Sequence, residues 1–362
     1  MVDLAAQHAP LSSAFEKAFR RVLDSSRFIL GPEVIALENE AAAYLGAEHA
    51  IGVSSGSDAL LIALTALGVG SGDEVITTPF TFFATVEAIL RLGARPRFVD
   101  VDPRTLQLDV GLVLDAISPR TRAIVPVHLY GTPVKLDELA RVAAQNQVPI
   151  VEDAAQSFGS RYGGRSVGTW GACGCFSFFP TKVFGALGDG GLVVTNDEEL
   201  ASKCRRLRQH GVEKKGEHTE VGGNFRLDAM QAAMLRVKLP LLDTWIGQRR
   251  AHAAEYDAGF EGVASIGIVS RGEGWNGAIY TMRIRHGLRD ALRRQLQSDG
   301  IESAVYYPMP LHLQPVVHAG MPAHAMPVSE EASAEVLSVP LYPELGSDQR
   351  GAVIDAVRAF LR

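Results

Sequence analysis

Between residues 50 and 152, short runs rich in Val and Ile alternate with longer helical patterns. This alternation limits the folds open to the chain more than any other feature. The expected strands are Ala50–Val53, Glu74–Thr77, Arg97–Val101, Ala123–Val127 and Pro149–Glu152. Helical stretches are expected between them at 57–67, 82–92, 111–117 and 136–146. Each strand is apolar on both faces, which suits a mainly parallel sheet covered on both sides. The pattern changes after residue 160. Cys173–Phe178 and Gly191–Thr195 read as a strand pair around a Gly-rich loop, and 197–209 reads as a helix. Pro240 suits the first turn of a long helix ending near Phe260. Beyond it the reading is strand Tyr280–Arg285, helix Leu288–Gln297, strand Ser303–Tyr307 and terminal helices. The expected organisation is a large α/β domain over 1–245, then a connecting helix and small α+β domain over 246–362.

Composition removes several function classes. Lys and Arg number 35 and Asp and Glu 41, a net charge of −6, which is not that of a generally basic nucleic-acid binder. Three Cys among 362 residues exclude a disulfide framework. No apolar run approaches the ~20 residues that span a bilayer. The first residues, Met1-Val2-Asp3-Leu4, lack the basic and apolar regions of a secretion signal. The expectation is a soluble, cytoplasmic protein without a membrane or nucleic-acid partner. Cys173 and Cys175 form a C-x-C without further ligands, so no metal site is expected and both read as small strand residues. His128 reads as a core or interface histidine.

Three clusters carry chemistry. In Ser54-Ser55-Gly56-Ser57-Asp58 a strand ends and a helix begins at Ser57. Free N–H groups at a helix start bind anions, Gly56 lets a phosphate approach, and Ser57 adds a hydroxyl. A plain N-cap turn is the alternative. Gly52-Val53-Ser54-Ser55-Gly56 also fits G-x-S-x-G, the nucleophile elbow of α/β hydrolases, with Ser54 as nucleophile. The elbow needs an oxyanion motif upstream, and none precedes it. In the second cluster an apolar strand delivers Glu152 and Asp153 to its C-terminal end, where open α/β sheets bind ligands. A buried carboxylate there needs a cationic or protonated partner. The third cluster places Lys182 just beyond the apolar run Phe176–Phe179 and before Gly185–Gly191. Desolvation lowers a lysine pKa and makes the amine a nucleophile. Together the clusters supply a phosphate cradle, a carboxylate for a pyridinium nitrogen and a Schiff-base lysine. Pyridoxal 5'-phosphate (PLP) requires these three things.

Further segments complete a recognisable set. They are Phe28–Val34, Phe80–Thr85, Phe98–Pro103, Pro126–Gly131, Glu152–Ser157, Ser177–Lys182 and Gly188–Gly191. In these the chain resembles the DegT/DnrJ/EryC1/StrS family of PLP-dependent sugar aminotransferases, which have the aspartate aminotransferase fold (fold type I). The resemblance implies that Lys182 forms the internal aldimine and that Asp153 pairs with the pyridinium nitrogen. It implies that Gln156 bonds the ring hydroxyl, that Phe82 stacks on the ring, and that Gly56, Ser57 and Ser177 hold the phosphate. Asn224 would reach the phosphate from a neighbouring subunit, so the resemblance implies a homodimer with its active sites at the interface. Arg226, Tyr306 and Tyr307 would contact substrate. A related branch with His at the lysine position dehydrates sugars, so Lys182 favours transamination. The implied reaction moves an amino group from L-glutamate to a keto nucleotide sugar, at C3 of a UDP- or dTDP-linked 3-keto sugar. A 4-keto sugar or a cyclitol is the alternative within the family. Tyr306-Tyr307-Pro308 departs from the His-Tyr-Pro of many such relatives. A serine hydrolase on Ser54 and a PLP-binding regulator without turnover are the readings outside catalysis by Lys182.

Overall fold

The protein is described by a computed structural model covering residues 1–318 and 324–361. The C-terminal range expected as a domain, 246–362, therefore includes residues 319–323 and 362, outside the described part. Seven strands build the main sheet: β1 (His49–Val53), β2 (Glu74–Thr77), β3 (Arg95–Phe98), β4 (Thr121–Val125), β5 (Val151–Asp153), β6 (Cys173–Ser177) and β7 (Gly191–Thr195). Their order is β1-β7-β6-β5 and β4-β2-β3, and the parallel bridges Ile124↔Ile150 and Val127↔Asp153 join the two sets. Strands β2, β3 and β4 pair in parallel, as do β5 and β6, whereas β7 is antiparallel to both β1 and β6. Only β7 therefore runs against the rest. The C-terminal ends of β1, β2, β4, β5 and β6 all open on one edge, the edge where open α/β sheets bind ligands.

The central strands are as apolar as burial on both faces demands, whereas β3, at the sheet edge, exposes Arg95 and Arg97 and so departs from the expectation of a strand apolar on both faces. Leu192, Val193 and Val194 of β7 are all fully buried, each contributing about 1.5–3 kcal/mol of burial. Helix α1 (Gly56–Ala66) is apolar nearly all round, and residues 59–64 are buried against the sheet. Helix α2 (Phe83–Arg91) follows β2. Two N-terminal helices absent from the sequence reading, Ser12–Ser25 and Pro32–Leu45, pack with α3 (Ala229–Lys238) in one core. Phe15, Ala18 and Val22 form the buried stripe of the first, and Pro32 starts the second, where its missing N–H costs nothing.

Helix α4 (Leu242–Phe260) follows a 3-10 turn that contains Pro240. It leads to an antiparallel sheet of β8 (Ile266–Ile268), β9 (Tyr280–Ile284) and β10 (Val336–Val339). Tyr256, Tyr280, Met282, Leu292 and Val339 share its core with the helix Ser347–Leu361. Several expectations need correction. Ser303–Tyr307 is not a strand: only Ala304 pairs, with Ser338 at the edge of β10. The chain then leaves the sheet, because the Tyr306 carbonyl accepts the Tyr130 hydroxyl. The stretch 111–117 is a 3-10 turn, Val110–Leu112, and a one-turn helix, Val113–Ala116. Strand β3 lies earlier than expected, at Arg95–Phe98, because its register follows β2 pairing rather than the apolar run.

Candidate active site

The strand ends converge on a cavity of about 620 Å³. Ser55, Gly56 and Ser57 come from the end of β1, Thr81 and Phe82 from β2, Val127 from β4, Asp153 and Gln156 from β5, and Ser177 and Lys182 from β6. Ile279, Tyr306, Tyr307, Val339 and Leu341 close the opposite wall, with Met1 and Val2.

The cradle is built by small residues. Ser55, not Gly56, caps α1, and its Oγ accepts from Asp58 N at 3.1 Å. Gly56 and Ser57 are therefore the first helical residues, with their N–H groups at the positive end of the helix. A Cβ on Gly56 would stand 2.7 Å from Ser177 Cβ, so only glycine lets the cradle close on Ser177. Gly191 is equally constrained, since a Cβ there would meet the Ser55 carbonyl at 2.4 Å. Ser54 donates to Asp58 Oδ2 at 2.6 Å. No histidine contacts Ser54 among the described residues, so the G-x-S-x-G match lacks the base that an elbow needs.

Glu152 and Asp153 are adjacent and face opposite ways, as strand geometry requires. Glu152 Oε1 accepts from Trp170 N and Gly171 N at 2.7 and 2.8 Å, and Oε2 from Gly168 N at 2.7 Å. His128 lies 3.0 Å from the same Oε2. His128 Nδ1 accepts from Val134 N, so Nε2 bears the hydrogen and donates to Glu152. Both side chains are fully buried, and His128 is a core histidine. Asp153 instead enters the cavity. Its Oδ2 accepts from Thr85 Oγ1 at 2.7 Å and its Oδ1 from Ala155 N at 3.2 Å. Burial pushes its carboxyl pKa up, against the opposing pull of Thr85, Ala155 N and Lys182.

Lys182 follows β6 on the tight turn in which Lys182 N donates to Phe179 O. Its pKa is pushed down to about 8 by desolvation, with Asp153 opposing. Lys238 is pushed to about 8 as well, mainly by burial. The two differ in their partners. Lys238 Nζ donates to Gly185 O at 2.7 Å and to His8 Nε2 at 2.8 Å. Lys182 Nζ has no hydrogen-bond partner among the described residues and lines the cavity. A depressed pKa combined with access is what a nucleophilic amine needs.

Gln156 Oε1 accepts from Tyr130 N at 2.5 Å, and its Nε2 donates to Tyr307 Oη at 3.3 Å. That leaves one amide hydrogen for a ligand. Phe82 is 60% exposed, an aromatic face open to the cavity, and its ring lies 6.3 Å from that of Tyr307. Burial beside Asp153 raises the Tyr307 pKa. The structure thus brings together Gly56, Ser57, Phe82, Asp153, Gln156, Ser177, Lys182, Tyr306 and Tyr307. Asn224 and Arg226 do not line the cavity of this chain. Asn224 is exposed, and Arg226 bridges Val53 through its backbone while its Nε is buried without a partner. Thr85, Tyr130 and the apolar wall Ile279, Val339 and Leu341 escaped sequence reading. Thr85 stood in the segment Phe80–Thr85, but nothing local says that it meets a carboxylate 68 positions away. Among the described residues there is no cluster able to hold a metal ion, and no helix is long and apolar enough to cross a membrane.

This constellation fits PLP: a phosphate cradle that closes at a glycine, a desolvated amine without a hydrogen-bond partner among the described residues, and a carboxylate with acceptor capacity. Comparison with known proteins gives the class. The model of the DegT/DnrJ/EryC1/StrS aminotransferase family matches residues 11–358. The dTDP-3-amino-3,4,6-trideoxy-alpha-D-glucose transaminase of Streptomyces venezuelae is 45% identical over 361 residues, covering 99% of this chain and 95% of the relative. A protein of Geobacillus stearothermophilus named a pleiotropic regulatory protein is 47% identical over 365 residues, covering 100% and 98%. The crystal structure of S. venezuelae DesV in complex with a ketimine intermediate superposes with a TM-score of 0.96 at 44% identity, covering 99% of this chain and 97% of that one. The fold is that of the fold type I PLP aminotransferases. The chain belongs to the DegT/DnrJ/EryC1/StrS aminotransferase family and is a PLP-dependent aminotransferase.

Proposed function

We propose that the protein moves the amino group of L-glutamate to C3 of a dTDP- or UDP-linked 3-keto sugar. The observation that carries this reading is the convergence of Lys182, Asp153, Gln156 and the Gly56–Ser57–Ser177 cradle on one cavity. The naming of the S. venezuelae relative for a dTDP-linked 3-amino sugar supports the substrate class. PLP, when bound, supplies an electron sink for charge that develops at the substrate carbon. Asp153 would hold the ring nitrogen protonated, Gln156 would bond the ring hydroxyl, and Phe82 would cover the ring face. Gly56, Ser57 and Ser177 would hold the phosphate. Lys182, its amine largely uncharged above about pH 8, would anchor the cofactor and take and return the substrate proton. The intact Lys182, Asp153 and Gln156 set favours turnover over a purely regulatory role.

The proposal extends to a homodimer in which the partner copy supplies Asn224 to the phosphate and Arg226 to an anionic part of the substrate. The placement of both residues outside the single-chain cavity is compatible with that. The chain would divide after residue 245, with the second unit supplying Tyr306 and Tyr307.

Purified protein loaded with PLP should show a visible absorption band that L-glutamate shifts, with formation of 2-oxoglutarate. The loaded amine form should then aminate a dTDP- or UDP-linked 3-keto sugar, read by mass spectrometry and NMR. Amination of only 4-keto sugars or cyclitols would overturn the C3 assignment. Mixing Lys182→Ala with Asn224→Ala subunits tests the dimer. A shared site regenerates one intact centre per mixed dimer, whereas sites confined to one chain regenerate none.

A further inference from the structure

The two oxygens of Asp153 are held differently, and the difference points to a residue to which the sequence assigns no role. Thr85 Oγ1 lies 2.7 Å from Oδ2, while Oδ1 has only the longer contact from Ala155 N. Thr85 is 1% exposed and does not line the cavity, so its hydroxyl has no water to fall back on, while Thr81, 2% exposed, sits at the cavity wall behind it. Thr81 Oγ1 lies 3.2 Å from Thr85 Oγ1. An ionised carboxylate only accepts, and a hydroxyl carries one hydrogen. The Thr85 hydrogen therefore goes to Asp153, and Thr81 must donate to Thr85. Both hydroxyls point the same way, along a short chain ending on the carboxylate. The main chain of Asp153 is fixed independently, by Asp153 N donating to Pro126 O and His128 N donating to Asp153 O. The threonine contact thus sets only the side chain.

We propose that Thr85 is a positioning residue that keeps Asp153 ionised and turned for the ring nitrogen of PLP, with Thr81 orienting Thr85 from behind. The proposal rests on the reading of Asp153 as the partner of the cofactor. Its physical basis is charge. A buried carboxylate drifts toward its neutral form, and a donated hydrogen bond to the charged form opposes that drift. A neutral Asp153 could not balance a protonated ring, and the cofactor would lose its best ionic contact.

The test is a set of PLP titrations of apo-protein, read by visible absorption. Thr85→Val keeps the shape and removes the donor. It should weaken PLP binding about tenfold, the effect of one hydrogen bond to a charged group. Thr85→Ser keeps the hydroxyl and should stay within about twofold of wild type, since the donor is unchanged. In an Asp153→Asn background, Thr85→Val should add less than about twofold, because the two changes act through one contact. Three results would overturn the proposal: Thr85→Val binding like wild type, Thr85→Ser failing like Val, or the full loss recurring beside Asp153→Asn. Should Thr85→Val not fold by circular dichroism, Thr81→Val replaces it. A loss of roughly threefold is then expected, in line with a weaker, second-rank hydrogen bond, and no change would overturn the relay. Wild-type protein that binds no PLP would remove the cofactor reading itself, an outcome distinct from a failure confined to Thr85.

Discussion

The two faces of β5 carry neighbouring carboxylates with opposite situations. On the closed face, Glu152 is met by three backbone N–H groups and His128, and is fully buried. On the open face, Asp153 has Thr85, one long backbone contact and the cavity. Both residues are acidic, buried and strand-borne, so residue type does not separate them. The count of donors does. A carboxylate with all its lone pairs occupied joins pieces of structure, here β5, the loop at Gly168–Gly171 and the His128 turn. A carboxylate with spare capacity beside a depressed lysine is available to a ligand.

That contrast can be broken by mutation. Lys182→Ala should remove the visible PLP band and reduce turnover to background, with far-ultraviolet circular dichroism unchanged. Asp153→Asn should lower kcat by roughly a hundredfold or more, since a positioned charge is lost at the cofactor, with little change in melting temperature. Glu152→Gln should show the reverse. An amide nitrogen would face backbone donors in a dry site, costing about 3 kcal/mol and lowering the melting temperature by roughly 5–10 °C. The folded fraction should keep near-native kcat. If Glu152→Gln abolished activity at full stability, the division of labour between the faces would be wrong. A smaller effect comes from Gly56→Ala, whose Cβ would press on Ser177. PLP affinity should fall several-fold, roughly 1 kcal/mol of strain or displacement.

The mildest prediction concerns pH. Lys182 titrates near 8 in the folded protein, below the ordinary lysine value of about 10.4. Its amine becomes neutral as pH rises through about 8, so PLP capture by apo-protein should accelerate between roughly pH 6.5 and 9 and then level. Between the folded and unfolded values the unfolded chain binds more protons. The stability tied to this group therefore rises with pH across that window. A capture rate independent of pH would argue that Lys182 is not the group that reacts.

Much of the fold was legible because its signals are local. Glu74–Thr77 and Gly191–Thr195 are strands with the bounds expected, since the β-branched and apolar runs Val75-Ile76 and Leu192-Val193-Val194 at their centres suit a doubly buried strand. The cradle, the paired carboxylates and Lys182 were legible because small residues and charges next to apolar strand ends stand out in a sequence. Ser303–Tyr307 was misread because β-branched and aromatic residues promise a strand. Whether Tyr306 pairs with β10 or turns to Tyr130 depends on a residue 176 positions away.

The sequence by itself determined the class of sheet, the direction in which its strand ends gather, and the residue types able to handle PLP. These depend on periodicity and on chemistry carried within a few positions of the chain. Only the tertiary structure decided which of two adjacent carboxylates is free, which of two depressed lysines is accessible, and which hydroxyl steadies Asp153. Those distinctions depend on the donors and solvent around a group, and long-range packing brings these together: Gly168 and Trp170 to Glu152, Gly185 to Lys238, and Thr85 to Asp153.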